Sequence, residues 1–304
     1  MIHYICRNVL KIIQIMKKKV IVLITAGILC LSFSQDKPAY RIYNSSGKEI
    51  KYEKMLEKIA EADVICFGEL HNDPIIHWLQ FEVTKDLYKL KGTDLILGAE
   101  MFESDNQIIL DEYFSGLISQ SRFETEARLW VNYKTDYKPL VEFAKDKGIP
   151  FVATNIPRRY ANIVHGGGFE ALSGLSDEAR SYIAPLPVSY DPELPGYKAM
   201  LGMGEMGHGN VNENLPKSQA IKDATMAHFM VKHLDTGKIF LHFNGAYHSD
   251  NFEGIVWYLK EANPDLVIRT ISMVLVEDPG QPGDEMNGKA DFIIVVPESM
   301  TRTH

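Results

Sequence analysis

The chain has 304 residues, 45% of them hydrophobic and 24% charged, a globular composition that argues against a disordered, collagen-like or multi-span membrane protein. Forty Asp and Glu against 32 Lys and Arg give a formal net charge of −8 and a pI near 5.7, so nucleic acid is not an expected partner.

The first 34 residues depart from this average. Their only formal charges are Arg7, Lys11, Lys17, Lys18 and Lys19, and Val20 to Phe33 is a continuous apolar run. Met16 with its three lysines, the apolar run and Ser32-Phe33-Ser34 supply the three parts of a secretory signal. Cleavage is expected before Gln35, with Met16 as the true start and residues 1–15 as an upstream over-call. The run is shorter than the roughly 20 residues that a membrane-spanning helix needs. Acylation of Cys30 is the alternative, although Leu29 stands before it where a small residue is expected. Removing residues 1–34 takes the net charge from −8 to −13 and leaves Cys66 as the single cysteine. Without an intramolecular disulfide, about 270 residues must be held by their own apolar core.

From Asp63 onward, short β-rich runs alternate with segments of helical period. Strands are predicted at 62–67, 94–98, 150–154, 238–243, 266–274 and 291–296. Helices are predicted at 74–90, 105–118, 122–131, 136–147, from Pro157, at 218–234 and at 251–261. In the first of these, Ile75, Leu79, Val83 and Leu87 recur at spacing four. Residues 184–216, rich in Pro, Gly and Met, read as a long irregular insertion. The alternation implies an α/β fold with a mostly parallel central sheet flanked by helices on both faces. It is expected as a single domain over 35–304 with its core at about 60–275.

Ligands of parallel sheets gather at the carboxyl ends of the strands. There the sequence delivers Gly68-Glu69-Leu70-His71, then Glu100, then Thr154-Asn155, then Asn244-Gly245-Ala246-Tyr247-His248. A carboxylate or imidazole directly after a buried strand is costly unless paired, coordinated or solvated. Gly68-x-x-His71 and Gly245-x-x-His248 share one spacing, in which the glycine is expected to let the backbone turn sharply. Glu69, His71, Glu100 and His248 thus offer two nitrogens and two carboxylates to one point. That set suits Zn, Mn or Fe, or general acid and base work.

Five blocks in this order resemble the ChaN family: Phe67-Gly-Glu-Leu-His-Asn-Asp-Pro-x-x-His77, Gly98-Ala-Glu100-Met-Phe, Asn155-Ile-Pro157, Gln219-x-x-x-Asp223-x-x-Met226-Ala227 and Asn244-Gly-Ala-Tyr-His248. That family comprises iron-regulated haem-binding proteins of bacterial envelopes, in a superfamily with Tiki and TraB proteins and the erythromycin esterases. The resemblance implies haem as ligand, haem-iron acquisition as the role, and haem held by Tyr and His near a homodimer interface. It also implies a periplasmic or outer-membrane location and an envelope haem-uptake receptor as partner. Glu69, His71, Glu100 and His248 match the superfamily's polar pocket, a metal-dependent peptidase site in the Tiki branch and a hydrolytic one in the esterase branch. A metal-dependent hydrolase using these four residues is therefore the alternative function.

No motif transfers the axial tyrosine, so Tyr190, Tyr197 and Tyr247 are candidates by location, and His208 lies where family members carry a His before the Gln-x-x-x-Asp helix. Met200, Met203 and Met206 at spacing three, with Leu201, offer soft apolar surface to a flat ligand; the competing reading packs them against the domain. Arg159 is the better of the candidate propionate-binding arginines, beside Arg128 and Arg158, because it follows Pro157 close to Asn155. His77 reads as a supporting partner or ligand, or as a helix-face histidine. Gln219 and Asp223 read as a buried pair bracing the pocket, His242 as a satisfied interior histidine and Cys66 as an inert core residue.

Overall fold

The computed structural model describes residues 37–206, 212–284 and 286–303, with positions 1, 14 and 16–18. Most of the expected signal, Cys30 included, and His208 lie outside the described residues. The chain divides into two units, Met1–Pro38 and Ala39–His304, and the elements below belong to the second. No helix among the described residues is long and apolar enough to cross a membrane.

A short hairpin, β1 (Arg41–Asn44) and β2 (Glu49–Ile50), leads to α1 (Tyr52–Ile59). Next come β3 (Val64–Glu69), α2 (Pro74–Lys91), β4 (Leu95–Glu103), α3 (Gln107–Phe114), α4 (Gln120–Glu126), a π turn (Tyr133–Tyr137) and α5 (Lys138–Lys147). They are followed by β5 (Phe151–Asn155), α6 (Arg158–Gly167), α7 (Asp177–Arg180), α8 (Pro195–Met206) and α9 (Asn214–His233). The chain ends with β6 (Ile239–Gly245), α10 (Ile255–Ala262), β7 (Ile268–Val276) and β8 (Phe292–Pro297).

The eight strands form one sheet in the order β2-β1-β8-β7-β3-β6-β4-β5. All pairs from β8 to β5 are parallel, and the β1–β2 hairpin closes the β8 edge in antiparallel register, with Ile42 opposite Ile294. Period-two alternation lets each central strand feed both faces. Ile65, Phe67, Leu97, Leu241 and Phe243 pack with Leu79, Val83 and Val141 of α2 and α5. Val64, Cys66, Ile96 and Phe240 pack with Met226, Met230, Ile255 and Leu259 of α9 and α10. Burial pushes the Cys66 thiol up to about 12, which suits a core residue.

The insertion is more regular than expected. Pro195 opens α8 and Pro216 sits in the first turn of α9, where backbone N–H groups have no intrahelical partner and a proline costs little.

Candidate functional site

β3 and β6 are parallel neighbours, with Gly68 opposite Asn244 and Glu69 opposite Gly245, so the two Gly-x-x-His segments leave the sheet side by side. The glycines serve close approach rather than a sharp turn. A Cβ on Gly68 would stand 2.9 Å from the Ala246 Cα, and one on Gly245 would stand 3.0 Å from His71 Nε2 and 3.4 Å from Glu100 Oε2. A side chain at Gly245 would press on the His71 ring and touch the Glu100 carboxylate, both of which border the bare α-carbon.

Glu69 is wholly enclosed and anchors one half of the site. Its Oε1 accepts from the Tyr137 hydroxyl at 2.6 Å and meets His71 Nδ1 at 2.9 Å, while Oε2 accepts from Gln80 Nε2 at 2.6 Å. Gln80 is held in turn by His77 Nδ1 at 3.1 Å, and His77 Nε2 meets the His71 carbonyl at 3.1 Å. His77 is thus a buried brace. Burial and the Glu69 charge raise the Tyr137 phenol, which stays a donor. Burial would lower the His71 imidazolium, but Glu69 and Glu100 outweigh it and raise it. The His71 ring is half-buried, edge-on to Trp130 at 4.8 Å between centroids.

The second half is a relay. Glu100 sits where β4 stops pairing with β6 at Ala99 and its register against β5 jumps from Ala99 to Glu103. This irregularity turns Glu100 Oε2 to the Gly245 amide at 2.7 Å and Oε1 to His248 Nε2 at 3.2 Å. His248 Nδ1 contacts Asp223, whose other oxygen accepts from the Tyr197 hydroxyl at 2.7 Å, and Gln219 Nε2 lies 2.9 Å from the same ring nitrogen. Burial would lower His248, yet the charges of Glu100 and Asp223 raise it to about 10. Glu100 is held well below the carboxylate range because His248, His71 and the Gly245 amide overcome its burial; Asp223 is raised by its burial.

Beside Glu100 opens a cleft of about 780 Å³, lined also by Arg128, Trp130, Asn132, Asn155, Arg158 and Lys222. His71 is oriented through Nδ1 by the fixed Glu69 carboxylate and keeps part of its ring open to solvent, so it is the titratable group of the site free to exchange a proton. A metal gains no support from this geometry. Tyr137, Gln80, Gly245 and His248 already engage the Glu69 and Glu100 oxygens, and among the described residues no group of three or more His, Cys, Asp or Glu is placed to hold one. The expected convergence of Glu69, His71, Glu100 and His248 therefore takes the form of two hydrogen-bonded clusters meeting at Gly245.

The profile of the family described as "Haem-binding uptake, Tiki superfamily, ChaN" matches residues 55–259, two-thirds of the chain and every residue of both clusters. The chain belongs to the ChaN family of the Tiki superfamily. Its fold is similar to that of ChaN of Campylobacter jejuni, a structure described as cofacial haem binding. The TM-score is 0.65 at 19% identity, over 84% of this chain and 96% of that one. A curated relative is the chloroplastic protein RETICULATA-RELATED 5 of Arabidopsis thaliana, 22% identical over 220 residues, which are 65% of this chain and 29% of that protein. The chain thus spans under a third of the plant protein's length.

Within this ChaN-family chain the haem-directed candidates fare differently. Tyr197 is 3% exposed with its hydroxyl committed to Asp223, and burial and that carboxylate raise the phenol. In this arrangement Tyr197 braces the relay. Tyr247 is exposed, and its hydroxyl donates to the Gly196 carbonyl. Arg159 is turned to Asp105 at 2.7 Å and onto the Tyr160 ring, so Arg158, not Arg159, lines the cleft. Tyr190 is half-buried, its ring 5.6 Å from Phe169 and 5.8 Å from Tyr197. Met203 and Met206 are backbone positions of α8. Sequence reasoning did not find Tyr137, Gln80, Asn132 or Lys222. A glutamine six residues after the Asp-Pro helix start was a weak signal for Gln80, and nothing local marks the others.

Proposed function

We propose that this chain is an exported haem-binding protein that serves iron uptake. One observation carries the reading: the ChaN family match over 55–259, which includes the helix and strand that build the relay. Its own residues fit the ligand. Tyr190 has no hydrogen-bond partner for its hydroxyl among the described residues and lies among apolar rings, near half-buried Val188, and Met200 and Leu201 of α8 are half-buried as well. In this reading Tyr190 holds the iron and the α8 segment, with Met203, Met206 and His208, supplies the remaining contacts. Bound haem supplies a redox-active iron and a large apolar plane. The chain acts in the periplasm or at the outer membrane, as a homodimer passing haem to or from an envelope receptor. Absorbance titration with haemin tests the ligand: Tyr190→Phe loses the Soret shift and Tyr197→Phe keeps it.

A second reading, hydrolysis of a peptide or ester, is favoured by the His71 and Glu100 juxtaposition at Gly245. It calls for activity against ester or peptide panels that Glu69→Gln, Glu100→Gln and His71→Ala abolish while haem affinity stays unchanged.

A further inference from the structure

The cleft beside Glu100 carries more positive charge than its position in an acidic protein suggests. Of its cations, Arg128 is spent on Glu103 and Asp105. Of its anions, Glu103 is matched by Arg128 and Glu100 by His248. Arg158, at the start of α6, and Lys222, half-buried on α9, line the cleft with no carboxylate partner among the described residues. The unpaired charge of the cleft is therefore positive.

Two buried carbonyls accompany it. Asn155 donates its amide nitrogen to the Glu100 carbonyl at 2.9 Å, and Asn132 donates its own to the His71 carbonyl and to Asp136 Oδ2, both at 2.8 Å. These bonds fix both amide orientations, since a flipped amide would set oxygen against oxygen. Each Oδ1 is then left buried without a partner. A buried carbonyl costs free energy until a donor meets it. Trp130, Leu129 and Ile156 supply apolar wall.

We propose that this cleft binds a small organic anion, a carboxylate or phosphate that also carries hydroxyl or amide N–H donors. The anionic group meets Arg158 and Lys222, the donors meet Asn155 Oδ1 and Asn132 Oδ1, and the remaining body lies against Trp130. The volume, about 780 Å³, suits one such molecule. The site does not depend on the haem reading, whose residues lie on the 188–208 segment.

Calorimetric titration of the purified full chain tests it with three probes: a hexose phosphate, an N-acetylated dipeptide and inorganic phosphate. One of the two organic anions saturates at one per chain and binds more tightly than inorganic phosphate; which one distinguishes the phosphate from the carboxylate source. Arg158→Gln and Lys222→Gln, both on accessible surface, each weaken it roughly ten- to hundred-fold, the worth of a charge-assisted hydrogen bond. Lys217→Gln, on the same helix outside the cleft, leaves it unchanged. The proposal is overturned if neither organic anion binds, if binding survives both substitutions, or if those substitutions abolish haem binding instead, which would assign the cleft to haem propionates.

Discussion

Arg302 meets the carboxylate of Asp73, 229 residues earlier in the chain. Asp73 is fully buried and caps α2 by accepting the Ile75 and Ile76 amides at 3.0 and 3.1 Å. Thr303 adds a bond from its amide to the Asn72 carbonyl at 3.0 Å. The C-terminal residues thereby fasten the loop that carries His71 and the helix that carries His77 and Gln80. Arg302→Ala is expected to destabilise the protein by about 1.5–3 kcal/mol, the worth of a hydrogen bond to a charged group. An unchanged urea midpoint would show the contact to be idle.

The Glu100–His248–Asp223 relay sets an alkaline limit. His248 is raised in the fold from 6.5 to about 10, so its stabilisation is complete below pH 6.5 and is lost as pH climbs toward 10. Glu100, held low by the same contacts, contributes stability that is full above the ordinary carboxylate range and is lost progressively as pH falls through and below it. Thermal midpoints should therefore fall between pH 6.5 and 10, and His248→Gln should flatten that slope while lowering stability at neutral pH. A wild-type profile flat across this window would contradict the relay.

Buried His242 sets a complementary acid limit. Burial lowers it to about 4, with Thr154 Oγ1 2.7 Å from Nε2 and Asn244 Oδ1 3.1 Å from Nδ1. Its neutral form is the folded one, so stability is full above pH 6.5 and declines as pH falls toward 4. His242→Phe should remove that part of the acid slope in denaturant melts between pH 4 and 6.5. An identical slope in the variant would assign the loss to other groups.

Gly254 carries a structural demand of its own. It precedes α10 at φ +53°, and a Cβ there would stand 2.4 Å from the His248 carbonyl oxygen. Gly254→Ala must strain the backbone and displace the segment bearing His248, at a cost of at least about 2 kcal/mol. A wild-type denaturation midpoint for this variant would refute the demand.

The parallel sheet was legible because each buried strand is a run of β-branched and aromatic residues bounded by polar strand ends. The β1–β2 hairpin was not, since four residues of β1 carry too little periodicity to separate from loop. Glu69, His71, Glu100 and His248 stood out as charged groups after buried strands, and the structure gives each a specific partner. Tyr137 and Lys222 could not stand out. A tyrosine and a lysine in helical segments look like ordinary packing and solvated charge until the fold brings them to Glu69 and to the cleft. Arg158 and Arg159 illustrate the converse: proximity in sequence to the pocket does not say which of two neighbouring side chains turns inward.

Haemin titration of the purified protein, followed by absorbance, tests the proposed function most directly. A saturable Soret shift at about one haem per chain, lost in Tyr190→Phe and retained in Tyr197→Phe, is the expected result. A spectrum that never saturates, with wild type and Tyr190→Phe indistinguishable, would contradict haem binding through this residue and shift the account to the hydrolytic reading.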